Sequence, residues 1–270
     1  MRSMSSQGKP VEWDATAYDK LSDPQFNWGM KLLSSLPLQG GETVMDAGCG
    51  SGRLTEELLK RLPLGRVIAL DLSANMIQTA QQRVQSAGAC VEFHQCDLSN
   101  FDIPQQVDGI FSNATFHWVP DHDAMFHSLY RALKPGGWLI GQFGGEGNLA
   151  RLKARTRELC NVEPFAKYMK EFSDGAHYES EAATRRRMEA AGFIDVETGR
   201  HPEPVHFPEP TLMKAFVSKV NLHRYLAALP DELSELFAEK VVEMSKGDDP
   251  PYTLDYMRLT IRARKPGSSQ

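Results

Sequence analysis

Short apolar segments alternate with helical patterns through the middle of this chain, and this alternation limits its fold more than any other feature. Strands are predicted at residues 43–46, 66–71, 90–95, 107–112 and 138–143. Helices, whose apolar residues recur every three or four positions, are predicted at 52–62, 74–87 and 123–133. Such alternation is typical of a doubly wound, mainly parallel sheet with helices on both faces. Ligands of these sheets bind beyond the carboxyl ends of the strands, so the residues there are the first candidates for a binding site.

The charge balance and the cysteines exclude several classes of protein. The chain has 30 Lys and Arg residues against 35 Asp and Glu, a net charge of −5, whereas a nucleic-acid-binding surface normally needs a basic excess. No apolar run approaches the ~18 residues of a membrane span, and the first residues are polar, unlike a signal peptide. The four cysteines lie far apart, which disfavours a disulfide scaffold. We therefore expect a soluble, cytoplasmic α/β chain of the size of an enzyme that binds neither nucleic acid nor membrane; the composition indicates no oligomeric state.

A glycine-rich loop with the sequence DAGCGSG (residues 46–52) joins the first predicted strand to the first predicted helix. Glycines in this position allow a tight turn and a close approach of the backbone to a ligand. Dinucleotide-binding proteins use a similar loop, but with the spacing G-x-G-x-x-G, and the carboxylate of Asp46 would oppose a pyrophosphate at the helix N-terminus. A ligand with a cationic amino-acid end suits this loop better, and Arg53 could meet its carboxylate. S-adenosylmethionine has that charge pattern.

Two further carboxylates stand at the ends of neighbouring predicted strands. Asp71 ends the second strand, where it can accept hydrogen bonds from both hydroxyls of a ribose, a requirement that dinucleotides share. Asp97 follows the third strand and could accept from the adenine amino group, with Leu98 and Met76 as apolar walls. The alternative for Asp97 is a cap of its own loop. Its register with Asp46 and Asp71 favours a nucleoside ligand.

Four segments together resemble the class I S-adenosylmethionine-dependent methyltransferases. They are VMDAGCGSG (44–52), VIALDLS (67–73), CDL (96–98) and LKPGG (133–137). The resemblance implies a Rossmann-like methyltransferase fold, an α/β sheet of seven strands with the last strand antiparallel and a helical cap. It places the sixth strand at 194–198 and the closing strand at 253–264.

The same resemblance divides the chain into three parts and assigns the cofactor contacts. Residues 1–35 would form an N-terminal lid, 36–145 the cofactor-binding core, and 146–270 the rest of the sheet with a substrate cap, all in one integrated domain. The contacts expected for S-adenosylmethionine and its product S-adenosylhomocysteine are Tyr18, Asp46, Ala47, Gly48, Cys49, Gly50, Gly52, Arg53, Asp71, Leu72, Met76, Cys96, Asp97, Leu98, Asn113 and Ala114.

A narrower resemblance concerns the acceptor of the methyl group. The segment FSNATFHWVPDH (111–122) is similar to the fourth-strand motif of the trans-aconitate and malonyl-carrier-protein methyltransferase group, and the predicted helices at 209–229 and 231–245 lie where that group builds a substrate cap. Methyltransferases that act on nucleobases carry prolines after the asparagine at this position, and Asn113 is not followed by prolines. These features favour O-methylation of a small carboxylate or hydroxyl. N- or C-methylation, a catalytically silent S-adenosylmethionine-binding protein and a nicotinamide oxidoreductase remain the alternatives.

A hydroxyl acceptor would need a general base, and His117 and His122 are the candidates in the loop after the fourth strand. The alternative for His117 is an ordinary loop histidine. Trp118 and Arg224 are predicted contacts of the acceptor. A polycarboxylate acceptor needs cations in front of it, and Arg224 is the first candidate for such a cation, with Arg151 and Arg155 next. The histidines recur every five residues, which does not bring them onto one helical face, so no metal site is expected.

Overall fold

The computed structural model of the protein describes residues 23–103 and 105–268. The strands in these ranges are β1 (Thr43–Ala47), β2 (Arg66–Asp71), β3 (Val91–Gln95), β4 (Val107–Asn113), β5 (Leu133–Gly144), β6 (Ile194–Pro202), β7 (Val205–His206), β8 (Thr253–Leu254) and β9 (Met257–Arg264). The α-helices are α1 (Asp23–Leu33), α2 (Arg53–Lys60), α3 (Ala74–Arg83), α4 (His122–Ala132), α5 (Ala150–Cys160), α6 (Ala166–Met169), α7 (Glu181–Ala190), α8 (Pro210–Val220), α9 (His223–Ala227) and α10 (Asp231–Met244).

Within the described residues, seven strands form one sheet in the order β3-β2-β1-β4-β5-β9-β6. Neighbouring strands from β3 to β5 pair in parallel, whereas β9 pairs antiparallel with both β5 and β6. The predicted doubly wound, seven-stranded sheet with an antiparallel closing strand is therefore confirmed. The chain order reverses between β1 and β4, and a ligand crevice forms at such a switch point.

The central strands are apolar on both faces because helices cover both sides of the sheet. Successive side chains of a strand point to opposite faces, and β1 shows this directly. Met45 packs into one buried cluster together with Ile110, whereas Val44 packs into a second cluster together with Phe111. The two clusters fix the register of the sheet and so fix where its strands end.

A third apolar cluster holds the helices of the predicted cap. It joins residues of α5, α8 and α10, among them Leu152, Val217 and Phe237, and it includes Trp28 from α1. The helix predicted at 209–229 is interrupted, because the chain turns at 221–222 and buries Leu222 completely. This turn directs the following short helix α9 toward the ends of the strands.

Other boundaries also differ from the predictions. The helix after Ser73 ends at Arg83 instead of at Gly88, which lies in a following 3-10 segment. The predicted closing strand divides, since its first two residues pair with β7 and only β9 joins the main sheet. The LKPGG turn lies inside β5 as a bulge: Val107 pairs with Leu133, and Gly109 pairs with Trp138. In the described ranges, no helix is both long and apolar enough to cross a membrane.

Candidate active site

An open cleft of about 1350 Å³ lies at the carboxyl ends of β1, β2 and β4. The predicted site residues that line it are Asp46, Gly48, Cys49, Gly50, Arg53, Asp71, Leu72, Met76, Cys96, Asp97, Leu98, Asn113, Ala114, Trp118 and Arg224. Ala47 is buried in the core beneath the loop, and Gly52 packs against Ala80 of α3. The sheet thus brings together side chains that are distant in sequence.

Asp71 organises the cleft as well as lining it. One oxygen, Oδ2, accepts a hydrogen bond from the Gly50 N–H, and the other, Oδ1, accepts from the Ser73 N–H, both at 2.9 Å. The carboxylate therefore joins the glycine-rich loop to the start of α3. Sequence spacing indicated the position of Asp71 but not this second task.

The glycine-rich loop requires glycine for two separate reasons. A Cβ on Gly48 would lie 2.2 Å from the side chain of Thr115, so any larger residue would separate the loop from β4. Gly50 has a φ of +54° and no atom within 4 Å of a Cβ built on it. Because Gly50 lines the cleft, a side chain there would occupy ligand space from a strained backbone.

Asp46 lies beneath the loop and is only 2% exposed. Its Oδ2 accepts a hydrogen bond of 2.7 Å from the Thr55 hydroxyl, but burial outweighs this bond and raises the pKa of Asp46 to about 7. A cation in the cleft would favour the ionised form. The site is thus suited to a ligand with a positively charged end.

Two predicted contacts have partners in the protein itself. Arg53 forms an ion pair of 2.9 Å with Asp23, and its guanidinium lies 4.2 Å from the centroid of the Phe26 ring. The exposed Asp97 accepts hydrogen bonds of 2.8 Å from the backbone N–H and the hydroxyl of Ser99, which is the loop-capping alternative. Both side chains still line the cleft.

A second cavity of about 690 Å³ adjoins the cleft. The two share Gln25, Ala114, Trp118 and Arg224, so these side chains lie at the junction. The polar side chains that line the second cavity include His117, Lys153, Asp174, Tyr178, Tyr225 and Arg258. Sequence reasoning missed the last five of these, because four lie in segments without a recognisable motif and Arg258 is one of three arginines in β9 that the sequence does not distinguish.

Arg224 is the cation at the junction. Its guanidinium lies 5.4 Å from the centroid of the Trp118 ring, and a Cβ built on Gly175 would lie 2.3 Å from its Nη1. Burial lowers the pKa of Arg224, and its Nε is buried without a hydrogen-bond partner among the described residues. A buried guanidinium in this state favours an incoming anion.

His117 is fixed as a hydrogen-bond acceptor on one ring nitrogen. Its Nδ1 accepts from the Gly144 N–H at 3.3 Å, and its ring lies between Trp118 and Tyr178, with centroids 4.9 and 5.6 Å away. Burial lowers the pKa of His117 well below its usual value. The neutral tautomer therefore carries its proton on Nε2, which disfavours the predicted role as a base.

The other predicted base and two predicted cations lie outside the second cavity. The ring of His122 packs edge-on against the core residues Phe126 and Phe143, and its Nε2 lies 2.9 Å from the Phe116 carbonyl oxygen. It lines neither the cleft nor the cavity. Arg151 and Arg155 both pair with Asp248, which ties α5 to the loop before β8. These three side chains support the structure around the site.

Comparison with known proteins identifies the family. Residues 44–137 match the family of methyltransferase domains. A trans-aconitate 2-methyltransferase of Azoarcus sp. (strain BH72) is 39% identical over 130 residues, which cover 48% of this chain and 50% of that protein. Another, from Methylobacterium nodulans, is 33% identical over 186 residues, which cover 68% of this chain and 66% of that one. The chain belongs to the class I S-adenosylmethionine-dependent methyltransferases.

A solved structure supports the fold assignment. A phosphoethanolamine N-methyltransferase of Haemonchus contortus aligns over 93% of this chain and 57% of that chain, with a TM-score of 0.61 and 20% sequence identity. At that identity the likeness concerns the fold alone. The chain spans about half the length of the first curated relative, so its acceptor has to be argued from its own residues.

S-adenosylmethionine is the cofactor of this family, and the cleft fits it. Asp46, Asp71, Met76 and Leu98 all line the cleft. The roles expected for Asp71 toward the ribose, for Met76 and Leu98 toward the adenine, and for the loop with Asp46 toward the amino-acid end stay predictions. Tyr18, also predicted as a contact, lies outside the described residues. In the described part of the chain, no cluster of His, Cys, Asp and Glu could hold a metal ion.

Gly50→Val should abolish cofactor binding, because the new side chain would occupy the cleft. Gly88→Val is the matched control: Gly88 has a similar φ of +55° and open space around it, but it does not line the cleft. Both variants place a β-branched residue at a positive φ and should lose stability through backbone strain. Calorimetric titration with S-adenosylhomocysteine should detect binding only in Gly88→Val. Equal affinities in the two variants would contradict this placement of the loop.

Proposed function

We propose that this protein transfers the methyl group of S-adenosylmethionine to a carboxylate oxygen of a small acid that carries at least one more anionic group. Arg224 is the main support for this proposal. It lies where the cleft and the second cavity meet, and its buried Nε has no hydrogen-bond acceptor among the described residues, so an anionic group of the acceptor molecule could bind it. The second cavity would hold the acceptor, with α8 to α10 as its cap. The lid predicted at 1–35 lies largely outside the described residues; in the part that is described, Gln25 lines both the cleft and the second cavity.

Further positive charge in the second cavity supports a polyanionic acceptor. Arg258 lines it at 2% exposure, with its guanidinium 4.7 Å from the centroid of the Trp28 ring. Lys153 lines it as well, and its Nζ lies 4.5 Å from the centroid of the Tyr178 ring. The curated relatives carry the name trans-aconitate 2-methyltransferase, and trans-aconitate is a tricarboxylate.

The proposed reaction needs positioning more than it needs proton transfer. When bound, S-adenosylmethionine supplies an electrophilic methyl group, which leaves its sulfonium sulfur as the acceptor oxygen attacks from the opposite side, giving a methyl ester and S-adenosylhomocysteine. The acceptor carboxylate is already ionised, so no side chain has to remove a proton. Arg224 would orient the acceptor, and the walls of the cavity would exclude water. This arrangement is consistent with a His117 that stays neutral.

The pH profile separates a carboxylate acceptor from a hydroxyl acceptor. With trans-aconitate and saturating cofactor, kcat should stay constant from about pH 6.5 to 8.5, because the acceptor carboxylates ionise near pH ~4 and a bound cation lowers the pKa of Asp46 below the value of about 7 that it has without a ligand. The lowered pKa of His117 keeps that ring neutral over the same range. A fall in kcat below pH 7 that disappears in His117→Ala would instead identify His117 as a base and the acceptor as a hydroxyl.

The direct test is an assay for S-adenosylhomocysteine with a panel of acceptors, namely trans-aconitate, other di- and tricarboxylates, monocarboxylates and phenols. Polycarboxylates should give the highest kcat/KM, with a product that gains one methyl group by mass and loses it on alkaline hydrolysis, as an ester does. Turnover confined to amines or phenols would refute the acceptor assignment. Cofactor binding without turnover on any acceptor would favour the silent binding protein.

A further inference from the structure

A surface groove meets the second cavity on the side away from the cofactor cleft. It runs between α5, α6 and the segment at 170–174, and it shares Lys153, Thr156, Asp174 and Tyr225 with the cavity. None of its lining residues belongs to the cofactor cleft. The groove and the cavity thus adjoin at those four side chains, which form a partition between them.

A hydrogen-bonded network of side chains forms this partition. Asp174 Oδ2 accepts an ion-paired contact from Lys153 Nζ at 3.1 Å and a hydrogen bond from the Tyr225 hydroxyl at 3.2 Å. The Thr156 hydroxyl lies 3.3 Å from the Tyr225 hydroxyl. The side chains of Lys153 and Asp174 are 31% and 20% exposed, so solvent reaches the network. Asp174 Oδ1 also accepts a hydrogen bond of 3.1 Å from the Ala176 N–H, so the partition opens by rotation of the Lys153 and Tyr225 side chains away from a carboxylate that the backbone holds on one oxygen.

The charge of the groove matches the proposed acceptor. Besides Lys153, the exposed cations Arg157 and Lys170 line it, and Asp174 is the only carboxylate among its described lining residues. A basic groove raises the local concentration of an anion and its rate of association. The carboxylate of Asp174 holds the position beside Lys153 and Tyr225 that an incoming carboxylate could occupy.

The geometry of the reaction is compatible with an approach from this direction. Displacement at a methyl group is in line, so the acceptor oxygen must stand on the side of the methyl group opposite the sulfur. With the cofactor in the cleft, that side is the second cavity, which the groove adjoins. We propose that the groove is the acceptor's own entrance, and that an anionic acceptor passes by replacing the carboxylate of Asp174 beside Lys153. This rests on the proposed function, because it takes the acceptor to be a small polycarboxylate.

Association of trans-aconitate, followed by the intrinsic tryptophan fluorescence to which Trp118 in the cavity wall contributes, tests the entrance without turnover. In wild-type protein saturated with S-adenosylhomocysteine, association should be no slower than in cofactor-free protein. Lys170→Glu should slow association about fivefold at low ionic strength, with less effect as salt is added. Lys167→Glu is the matched control, since Lys167 is exposed on the adjoining helix α6 but does not line the groove.

A second variant distinguishes a specific effect on association from a loss of folding. Asp174→Asn removes the charge that competes for Lys153, so it should speed association about threefold, which a misfolded protein could not do. Any of three results would refute the proposed entrance. They are equal slowing by Lys170→Glu and Lys167→Glu, unchanged or slower association in Asp174→Asn, and blockage of association by S-adenosylhomocysteine. Failure to bind trans-aconitate would count against both proposals. Binding without methyl transfer from S-adenosylmethionine would count against the proposed function alone.

Discussion

Asp71→Ala should weaken the binding of S-adenosylhomocysteine by about 100-fold or more, equivalent to ~2.7 kcal/mol. The substitution removes the acceptor of two backbone N–H groups, those of Gly50 and Ser73, together with the carboxylate expected to bind the ribose. Loss of a charged hydrogen-bond acceptor generally costs about 1.5–3 kcal/mol, and here several bonds depend on one side chain. Isothermal titration calorimetry measures the effect directly.

The controls for Asp71 separate its two tasks. Asp71→Asn keeps one acceptor oxygen and should recover part of the affinity. Asp97→Ala should cost less than tenfold, because Asp97 is exposed and already bonded within its own loop to Ser99. If Asp71→Ala binds S-adenosylhomocysteine within threefold of the wild type, the assignment of the cleft to the cofactor is wrong.

Arg224→Met should lower kcat/KM for trans-aconitate by about 100-fold while changing the affinity for S-adenosylhomocysteine less than threefold. A bidentate pair between a guanidinium and a carboxylate is strong when it is partly buried, and methionine keeps the length of the side chain without the charge. Steady-state kinetics and calorimetry on the same preparation give both numbers. Arg224→Lys should lie in between, because it retains the charge but loses the fork of donors.

The matched control for Arg224 is Arg186→Met, which removes an exposed arginine of α7 outside the cleft and the cavity. It should leave both quantities unchanged. An equal fall in acceptor kcat/KM and cofactor affinity in Arg224→Met would show that this guanidinium binds the cofactor carboxylate instead. The acceptor proposal would then lose its main support.

The cofactor side of the molecule could be predicted because its signals are local. Gly48, Gly50 and Asp71 stand at fixed distances from strand ends, and strand ends follow from apolar periodicity. The acceptor side could not be predicted in the same way. His117 is adjacent to Trp118 in a motif, but the tautomer of its ring depends on the N–H of Gly144, which lies in a different strand.

Arg224 and His122 show how well residue type and sequence position predict which side chains reach the acceptor cavity. Arg224 was predicted from the chemistry of a polycarboxylate, and the turn at 221–222 brings it to the junction of the two cavities. His122 has an equally suitable side chain, yet the start of α4 directs it into the core. Arg151 was a next candidate after Arg224, and it pairs with Asp248 and Asp255.

The amino-acid sequence by itself determined the alternation of strands and helices, the glycine-rich loop and the carboxylates at successive strand ends, because each depends on residues close together in the chain. Only the tertiary structure decided which cations face the acceptor and which are paired elsewhere. Lys153 meets Asp174, and Arg258 meets Trp28, across distances in sequence that no periodicity encodes. The packing of the cap against the sheet determines these contacts, since it sets which polar groups are buried together.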